Sequence, residues 1–358
     1  MFLPFRPESM KKKKITRVSV RDIADAAGVS KSTVSFVLCN RTGPSKKTRE
    51  RVLKIARRLG YAPDARVASW MATVRGARTK DLLPIAWLNT NAQRDAWHTY
   101  SFLSPFWEGA RERCEQLGYR LDEIWARQPG MTMRRVSQIL DQRGIEGVIV
   151  SPTAARVRLN WNKLAGVALG PELLAPRLHR VRIDLDFNLL VALKMLKRFG
   201  YQRIGICLTD AIDRHSNHMI RAMAHYLHAT TRPSKPVPPL FYKGEGEGGG
   251  VPKKQIMPWV CSHRPDVIVG NDNRLEEWLR EEGYDVPRKM GIVHLALDDD
   301  VLDWAGIHAN KRKIGRVAAE LVVSLVHSRQ FGVPDVASDT IIRGSWQDGR
   351  TLLVPKLK

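Results

Sequence analysis

The first 60 residues carry apolar positions at the spacing of short amphipathic helices. One apolar set shares a single helical face: Val20, Ile23, Ala24 and Ala27. Ser19 precedes this set as a helix cap, and Gly28 follows it where a left-handed residue ends a helix. A second helix is predicted over Lys31–Leu38, and a third over residues 46–59 after the cap Ser45. Two short helices joined by a tight glycine turn predict a helix-turn-helix.

From residue 84 onward, short apolar runs alternate with amphipathic stretches. A first series of strands is predicted at 84–89, 120–126, 147–151, 167–170 and 181–184, and a second at 203–209, 239–243, 267–271 and 291–298. Helices are predicted at 106–117, 132–142, 189–199, 218–228, 275–282 and 314–328. This order predicts parallel sheets with helices on both faces, arranged as two Rossmann-like lobes. The fold class is therefore an all-α helix-turn-helix domain followed by an α/β domain.

Positive charge is concentrated at the helical end of the chain. The formal net charge is +23. Residues 1–80 hold 20 Lys and Arg against 5 Asp and Glu, whereas the remaining residues hold 39 against 31. A compact basic module beside a nearly neutral body is typical of nucleic-acid binders. We therefore predict that the second helix of the helix-turn-helix enters the major groove of DNA.

The N-terminal sequence resembles the lactose-repressor (LacI) family. Residues 22–40 read DIAxxAGVSxxTVSxVLxN, residues 44–52 read PSxxTRxRV, and residues 60–63 read GYxP. The likeness runs over about 45 residues without a gap and includes the third helix, so it is far more specific than a helix-turn-helix pattern alone. It implies a transcription regulator that binds operator DNA as a homodimer.

The resemblance assigns roles in DNA binding residue by residue. Lys31 and Ser32 match positions that read base edges, while Ser30, Thr33 and Ser35 match positions that contact phosphates. Phe36 departs from the family, which usually has arginine there. The phenyl ring could contact a thymine methyl group, or it could pack against the third helix. Cys39 also departs, since asparagine is common at that position.

A hinge segment is implied after the DNA-binding module. In the family, this segment forms a short helix on DNA and wedges an apolar side chain into the minor groove. Trp70 or Met71 occupies the usual leucine position, depending on one residue of register. A flexible basic linker is the alternative reading of the same segment.

The body resembles the type I periplasmic-binding-protein arrangement over residues 82–350. The predicted domains are a basic N-terminus at 1–17, the DNA-binding module at 18–63, a hinge at 64–81 and a sensor domain at 82–358. Within the sensor domain, lobe 1 is predicted at 82–201 and 305–330, and lobe 2 at 202–304 and 331–358. These boundaries imply crossings between the lobes near residues 201, 304 and 330.

Ligands bind beyond the carboxyl ends of strands in such sheets. That rule selects one set of polar residues: Asn89, Asp184, Asp186, Asp210, Asn271, Asp272 and Asp298. Among the effector candidates Asn89, Asp184, Arg214, Asp272 and Asp298, the family resemblance best supports Arg214, Asp272 and Asp298. Four of the ten tryptophans are predicted near the same rim: Trp87, Trp97, Trp107 and Trp304. Aromatic faces with carboxylates and amides suit a sugar-like effector, although any single tryptophan could equally pack in the core.

Other function classes find little support. The GxGxxG match at 244–250 is followed at once by Val251 and Pro252 with no helix pattern, so no dinucleotide cofactor is expected. His and Asp residues near 210–218 lack metal-ligand spacing, and no metal is expected. Hydrolase, zincin and phosphate-loop motifs are missing, so an enzyme is not predicted. No membrane span or signal peptide is predicted, and we expect a cytoplasmic location.

The sequence therefore predicts a homodimeric, sequence-specific regulator, with repression as the expected mode, whose operator affinity depends on a small sugar-like effector. The alternative is a solute-binding sensor that uses its N-terminus for protein partners rather than for double-stranded DNA. Salt-dependent binding of a duplex separates the two hypotheses, because phosphate contacts release counterions.

Overall fold

The computed structural model describes residues 18–38, 43–59, 82–152, 156–170, 175–230, 236–244 and 251–353. The chain divides into two compact units, Met1–Arg75 and Gly76–Lys358. The division falls inside the segment 64–81, which the sequence predicts to be a hinge or linker. In the parts of the chain that the structure covers, we find no helix that is both long and apolar enough to cross a membrane.

The first unit contains three short helices around a small core. Helix α1 spans Val20–Ala27, α2 spans Lys31–Leu38 and α3 spans Lys46–Arg58. Their buried side chains form one cluster: Ile23, Ala24, Ala27, Val34, Val37, Val52 and Ala56. These are the apolar positions that the helical spacing selects, so the helix-turn-helix prediction is confirmed.

The second unit contains two six-stranded sheets. The sheet of lobe 1 has the order β11-β5-β4-β3-β1-β2, and its strands are all parallel. They span Leu83–Asn89 (β1), Tyr119–Trp125 (β2), Gly147–Val150 (β3), Ala165–Leu169 (β4), His179–Ile183 (β5) and Asp339–Ile342 (β11). The helices that follow β1 and β2 are Ala96–Thr99 (α4), Ser104–Gln116 (α5) and Met133–Gln142 (α6).

The sheet of lobe 2 has the order β12-β10-β9-β8-β6-β7, with only β12 antiparallel to its neighbour. Its strands span Ile204–Thr209 (β6), Leu240–Tyr242 (β7), Val267–Gly270 (β8), Gly291–His294 (β9), Gly306–His308 (β10) and Ser345–Gln347 (β12). The remaining helices are Leu185–Arg198 (α7), Asp210–His215 (α8), Met219–Thr230 (α9), Pro252–His263 (α10), Leu275–Glu281 (α11) and Lys311–His327 (α12). Two α/β sheets that are parallel except for β12, in a chain that begins with a helical module, confirm the predicted fold class.

The predicted crossings between the lobes, near 201, 304 and 330, are wrong. Strand β5 lies in lobe 1, but helix α7 packs its leucines into the core of lobe 2, so the chain crosses at residue 184. Strand β10 belongs to lobe 2 and α12 packs in lobe 1, which places the second crossing at 309–310. The third crossing lies at 343–344, between β11 and β12. Sequence order assigns α7 to the strand before it, whereas the fit of its apolar face assigns it to the other sheet.

The expectation that no helix follows the glycine-rich stretch at 244–250 is also wrong. Helix α10 begins at Pro252, where proline is well tolerated because the first helical N–H has no intrahelical partner. Proline-rich surroundings and an internal Pro258 obscured its apolar face, which buries Ile256, Trp259 and Val260. Residues 245–250 lie outside the described part of the chain.

Candidate functional site

Local chemistry fixes the two helices of the helix-turn-helix. The backbone N–H of Asp22 donates to the Ser19 hydroxyl at 3.3 Å, and the backbone N–H of Ser19 donates to the Asp22 carboxylate at 2.7 Å. This reciprocal capping starts α1 and lowers the pKa of Asp22. Gly28 then ends α1 at φ 60°, in the left-handed region. The turn leads directly into Ser30, whose hydroxyl accepts from the N–H of Thr33 at 3.1 Å and caps α2.

The open face of α2 carries the predicted base-reading residues. Lys31, Ser32 and Ser35 are exposed, as is Ser30 before the helix, while Thr33 is half-buried. The hydroxyl groups of Ser32 and Thr33 each lie 2.8 Å from that of Ser30. Three hydroxyl groups therefore meet at the helix N-terminus, where backbone N–H groups and the helix dipole favour a phosphate.

Phe36 packs against the turn before α3, and part of its ring stays exposed. Its side chain is 40% exposed. A Cβ atom added to Gly43 would lie 3.5 Å from the Phe36 ring, so the ring packs on the turn before α3. The phenyl ring carries no hydrogen-bonding group, so an apolar contact is what its exposed part can offer. Cys39, Trp70 and Met71 lie outside the described residues.

The carboxyl edges of the two sheets face each other. Strands β5 and β11 end at the points where the chain leaves lobe 1 for lobe 2, and β10 ends where it returns. These short crossings hold the two edges together. The Ser101 hydroxyl in lobe 1 also donates to the Asp300 carboxylate in lobe 2 at 2.5 Å. The space between these edges is called the cleft below, and it is where ligands bind in open parallel sheets.

Asn89 lies at this edge but serves the local loop. Its amide donates to the carbonyl of Arg94 at 2.7 Å and to the Glu123 carboxylate at 2.9 Å. Its oxygen accepts from the backbone N–H of Asn91 at 2.9 Å. The side chain is buried with its hydrogen-bonding capacity used, so Asn89 orders the loop after β1.

Basic side chains pair with the predicted effector carboxylates. Asp184 caps α7 through the N–H of Phe187 at 3.1 Å and lies 3.5 Å from the Arg343 guanidinium. Asp272 accepts from Arg274 at 3.3 Å. Asp298 pairs with Lys311. Arg214 is exposed on α8. The three aspartates therefore follow strands of both lobes, and each has a basic partner.

A similar network occupies the loop that could suggest a metal site. The Arg221 guanidinium bridges Asp210 at 2.7 Å and Asp213 at 2.8 Å, and Asp213 also accepts from His218 at 2.8 Å. These hydrogen bonds lower the pKa of Asp213 against the effect of burial. Within the described part of the chain, no group of three or more His, Cys, Asp or Glu side chains could hold a metal ion.

The structure buries several polar groups near the carboxyl ends of the strands, and sequence reasoning missed two of them, Thr90 and Ser151. Thr90 Oγ1, Ser151 Oγ and Trp97 Nε1 are buried and have no hydrogen-bond partner among the described residues. Thr90 follows β1 and Ser151 follows β3, so both obey the strand-end rule that selected Asn89. Asp186 Oδ1 in the first turn of α7 and Asn273 Oδ1 between β8 and α11 are also buried without a partner among the described residues. Buried polar groups normally have partners, so this set indicates a place for a hydrogen-bonding ligand.

Trp97 stacks on Trp107 with ring centroids 4.5 Å apart and 27° between the ring planes. Trp107 in turn meets Trp87 edge to face at 5.4 Å. Trp87 and Trp304 are buried in the cores of their lobes, as the core alternative predicted. Trp97 is half-buried and keeps an N–H for a partner, which makes it the tryptophan best suited to contact a ligand.

His294 ends β9, and we expect it to make the stability of the sensor domain depend on pH. Burial, with a smaller contribution from the Lys311 charge, lowers its pKa to about 3. The unfolded chain binds a proton below about pH 6.5, whereas the folded chain stays neutral there, so stability falls as the pH drops from 6.5 towards 3. We expect this residue to lower the free energy of unfolding by about 2 kcal/mol at pH 5 relative to pH 7.5. Urea unfolding of His294→Gln at both pH values should show a smaller pH dependence than the parent; an equal dependence would assign it to other groups.

Two family models match the chain. Residues 19–64 match the bacterial regulatory proteins of the lacI family, and residues 193–346 match the periplasmic binding protein-like domain. The regulator PtxS of Pseudomonas plecoglossicida is 25% identical over 350 residues, which cover 92% of this chain and 96% of PtxS. The sucrose operon repressor of Klebsiella pneumoniae is 48% identical over 59 residues, which cover 16% of this chain and 18% of the repressor.

Solved structures show the same fold over nearly the whole chain. The regulator CelR in complex with cellobiose has a TM-score of 0.57 at 16% identity and covers 94% of this chain and 100% of CelR. The lac repressor dimer bound to operator and the anti-inducer ONPF has a TM-score of 0.54 at 17% identity. The match covers 94% of this chain and 99% of the repressor chain. This chain therefore joins a helix-turn-helix domain of the lacI family to a periplasmic-binding-protein-like domain, which is the organisation of a DNA-binding transcriptional regulator.

Proposed function

We propose that the protein is a homodimeric repressor that acts in the cytoplasm and whose grip on operator DNA is set by a neutral, sugar-like effector in the cleft. The relatives named above are transcriptional regulators, and we propose that this chain likewise has no enzymatic role. A dimer places two recognition helices on a pseudo-palindromic operator. The sensor domain then changes operator affinity by binding its effector with different affinity in two arrangements of the lobes.

On DNA, Lys31 and Ser32 would read base edges, and Phe36 would contact a thymine methyl group. Ser30, Thr33 and Ser35 would hold phosphates. The exposure of the α2 face supports these roles, and the cluster of hydroxyl groups at its N-terminus supports the phosphate contacts. The minor-groove role of Trp70 or Met71 rests on the sequence resemblance. The rival hypothesis of a sensor without DNA binding predicts no duplex affinity at low salt, whereas operator binding should weaken steeply as salt rises.

The buried, unpartnered groups at the cleft carry the effector proposal. Thr90 and Ser151 offer neutral hydrogen-bonding atoms just after β1 and β3, and Trp97 offers an N–H and an aromatic face, which is the chemistry that recognises hydroxyl groups on a ring. Structural neighbours bind molecules of this class: CelR binds cellobiose, and a LacI-family regulator from Enterococcus faecium binds ribose. Asp186 and Asn273 would add acceptors from the other side of the cleft.

Replacing Thr90 with valine and Ser151 with alanine should separate binding from stability. Each hydroxyl group is buried without a partner, so its removal should leave the unfolding free energy unchanged or raise it by about 1 kcal/mol. Effector affinity should fall about 10- to 100-fold, because two hydrogen bonds to the ligand are lost. Thermal shift and tryptophan fluorescence, with a panel that includes cellobiose, ribose and xylulose, would measure both quantities.

Ser262→Ala offers a control, because Ser262 is exposed on α10 and away from the strand ends. It should change neither effector affinity nor stability. An effector that binds the double variant as tightly as the parent would place the effector site elsewhere.

A further inference from the structure

Lys311 joins the two lobes at the cleft. It is the first residue of α12, which packs in the core of lobe 1, but its ammonium group reaches back into lobe 2. There it donates to the carboxylate of Asp298, just beyond β9, and to the carbonyl of Ala296 at 3.4 Å. The sequence had selected Asp298 as an effector ligand and gave Lys311 no role. The two residues form an ion pair between the first residue of a lobe 1 helix and a loop of lobe 2.

This pair is almost sealed from water. The Lys311 side chain is 7% exposed and that of Asp298 is 13% exposed. Burial lowers the pKa of Lys311 to about 7. A carboxylate next to a buried ammonium group in general favours its charged form. A buried charge is costly without its partner, so each residue depends on the other. The pair is therefore sensitive to any group that competes for the Asp298 carboxylate.

The pair adjoins a set of hydrogen bonds that tie the three crossings together. Asn188, fully buried on α7, donates to the carbonyl of Leu295 at 3.2 Å and accepts from the N–H of Gly344 at 3.1 Å. Asn310, beside Lys311, donates to the carbonyl of Arg343 at 3.0 Å. The Arg343 guanidinium lies 3.5 Å from the Asp184 carboxylate and stacks over the Phe187 ring. These hydrogen bonds connect the surroundings of Lys311 to all three crossings, so a change at Lys311 can affect each of them.

We propose that Lys311 is a positioning residue that latches the lobes and that an effector loosens this latch by taking a share of the Asp298 carboxylate. The proposal rests on the proposed function, because it needs an effector hydroxyl in the cleft. The pair presents one acceptor and one donor and has no net charge, so it suits a hydroxyl group, which both donates and accepts. An effector engaged with Asp298 weakens the hold on Lys311, and the start of α12 transmits the change to lobe 1.

Hydrogen exchange of the full-length protein tests the latch without any effector. In Lys311→Met, amide protection should fall at least tenfold both at residues 295–301 of lobe 2 and at residues 309–315 of the second crossing. Lys313→Met is the matched control, because Lys313 is exposed on the same helix, and it should leave protection unchanged in both segments. Unchanged protection in Lys311→Met would overturn the latch, and so would a loss confined to 309–315, since that would show a role only in starting the helix.

A second variant covers the case in which Lys311→Met does not fold because Asp298 is left without a partner. The double variant Lys311→Met with Asp298→Asn removes both charges, and neutral replacements for buried pairs are commonly tolerated. It should fold, yet show the same loss of protection in both segments. Protection equal to that of the parent would refute the proposal.

Operator binding then separates failure of the latch from failure of the proposed function. For a panel compound that shifts operator affinity of the parent at least tenfold, Lys311→Met should still bind the compound but shift operator affinity less than twofold. A full shift in the variant would overturn the latch and leave the effector-responsive regulator standing. If no compound acts on the parent, the proposed effector class is wrong, and hydrogen exchange still decides whether Lys311 couples the lobes.

Discussion

Lys31→Ala is expected to weaken binding to the preferred operator by about 10- to 100-fold and to flatten the preference among related sequences. Lys31 is the first residue of α2, exposed beside a capped helix start, and its ammonium group can donate to guanine O6 and N7. Binding to unrelated duplex should change little, since that binding comes from phosphate contacts. Fluorescence anisotropy with an operator obtained by selection, and with single-base variants of it, would measure the effect.

Lys46→Ala is the matched comparison, because Lys46 is the first residue of α3 and is also exposed. A phosphate contact carries no sequence information, so this variant should weaken all duplexes by a similar factor and reduce the salt slope by about 1. If Lys31→Ala also weakened every duplex uniformly, the base-reading assignment would be wrong, although DNA binding itself would stand.

The helix-turn-helix could be predicted closely because its determinants are local. Ser19 and Asp22 cap each other across one turn, Gly28 adopts the left-handed conformation that ends α1, and Ser30 caps the next helix. Each of these interactions joins residues at most four positions apart. Burial of Val34 and Val37 then leaves the opposite face of α2 open, as the apolar spacing requires.

The lobe boundaries depend on packing between distant segments, which a local pattern does not contain. The leucines of α7 match either sheet by periodicity, and only the shape of the two cores assigns them to lobe 2. Strands β10 and β12 have three residues each, too few for an alternating pattern to register. They are held by pairing with each other and with β9, which is a tertiary contact.

The sequence could locate the cleft, but it could not show which of the polar residues at the strand ends are best suited to bind an effector. The strand-end rule placed Asp184 and Asp298 correctly at the carboxyl edges, yet their cationic partners, Arg343 and Lys311, lie 159 and 13 residues away in sequence. Thr90 and Ser151 obey the same rule and were passed over, because hydroxyl groups are common and only burial without a partner makes these two distinctive. The sequence analysis favoured charged residues, and in the structure Asp184 and Asp298 are already paired with basic side chains.

Gly315→Ala is expected to destabilise the sensor domain by about 3 kcal/mol, although alanine is the better helix former by about 1 kcal/mol. Gly315 lies on α12 and Gly109 on α5, where the two helices touch backbone to backbone. A Cβ on Gly315 would lie 2.0 Å from the carbonyl oxygen of Phe106, and one on Gly109 would lie 1.9 Å from that of Arg312. The helices must therefore separate to admit even a methyl group, and the buried side chains around them lose contact.

Gly144→Ala is the control for backbone strain alone. Gly144 has φ 64°, and no atom lies within 4 Å of the position that a Cβ would occupy, so its replacement should cost only about 1 kcal/mol. Urea denaturation of both variants gives the comparison. Because α12 also carries Lys311, Gly315→Ala should further reduce the response of operator binding to an effector in the folded protein. If the two substitutions lowered the free energy of unfolding equally, the packing of α5 against α12 would not depend on this close approach.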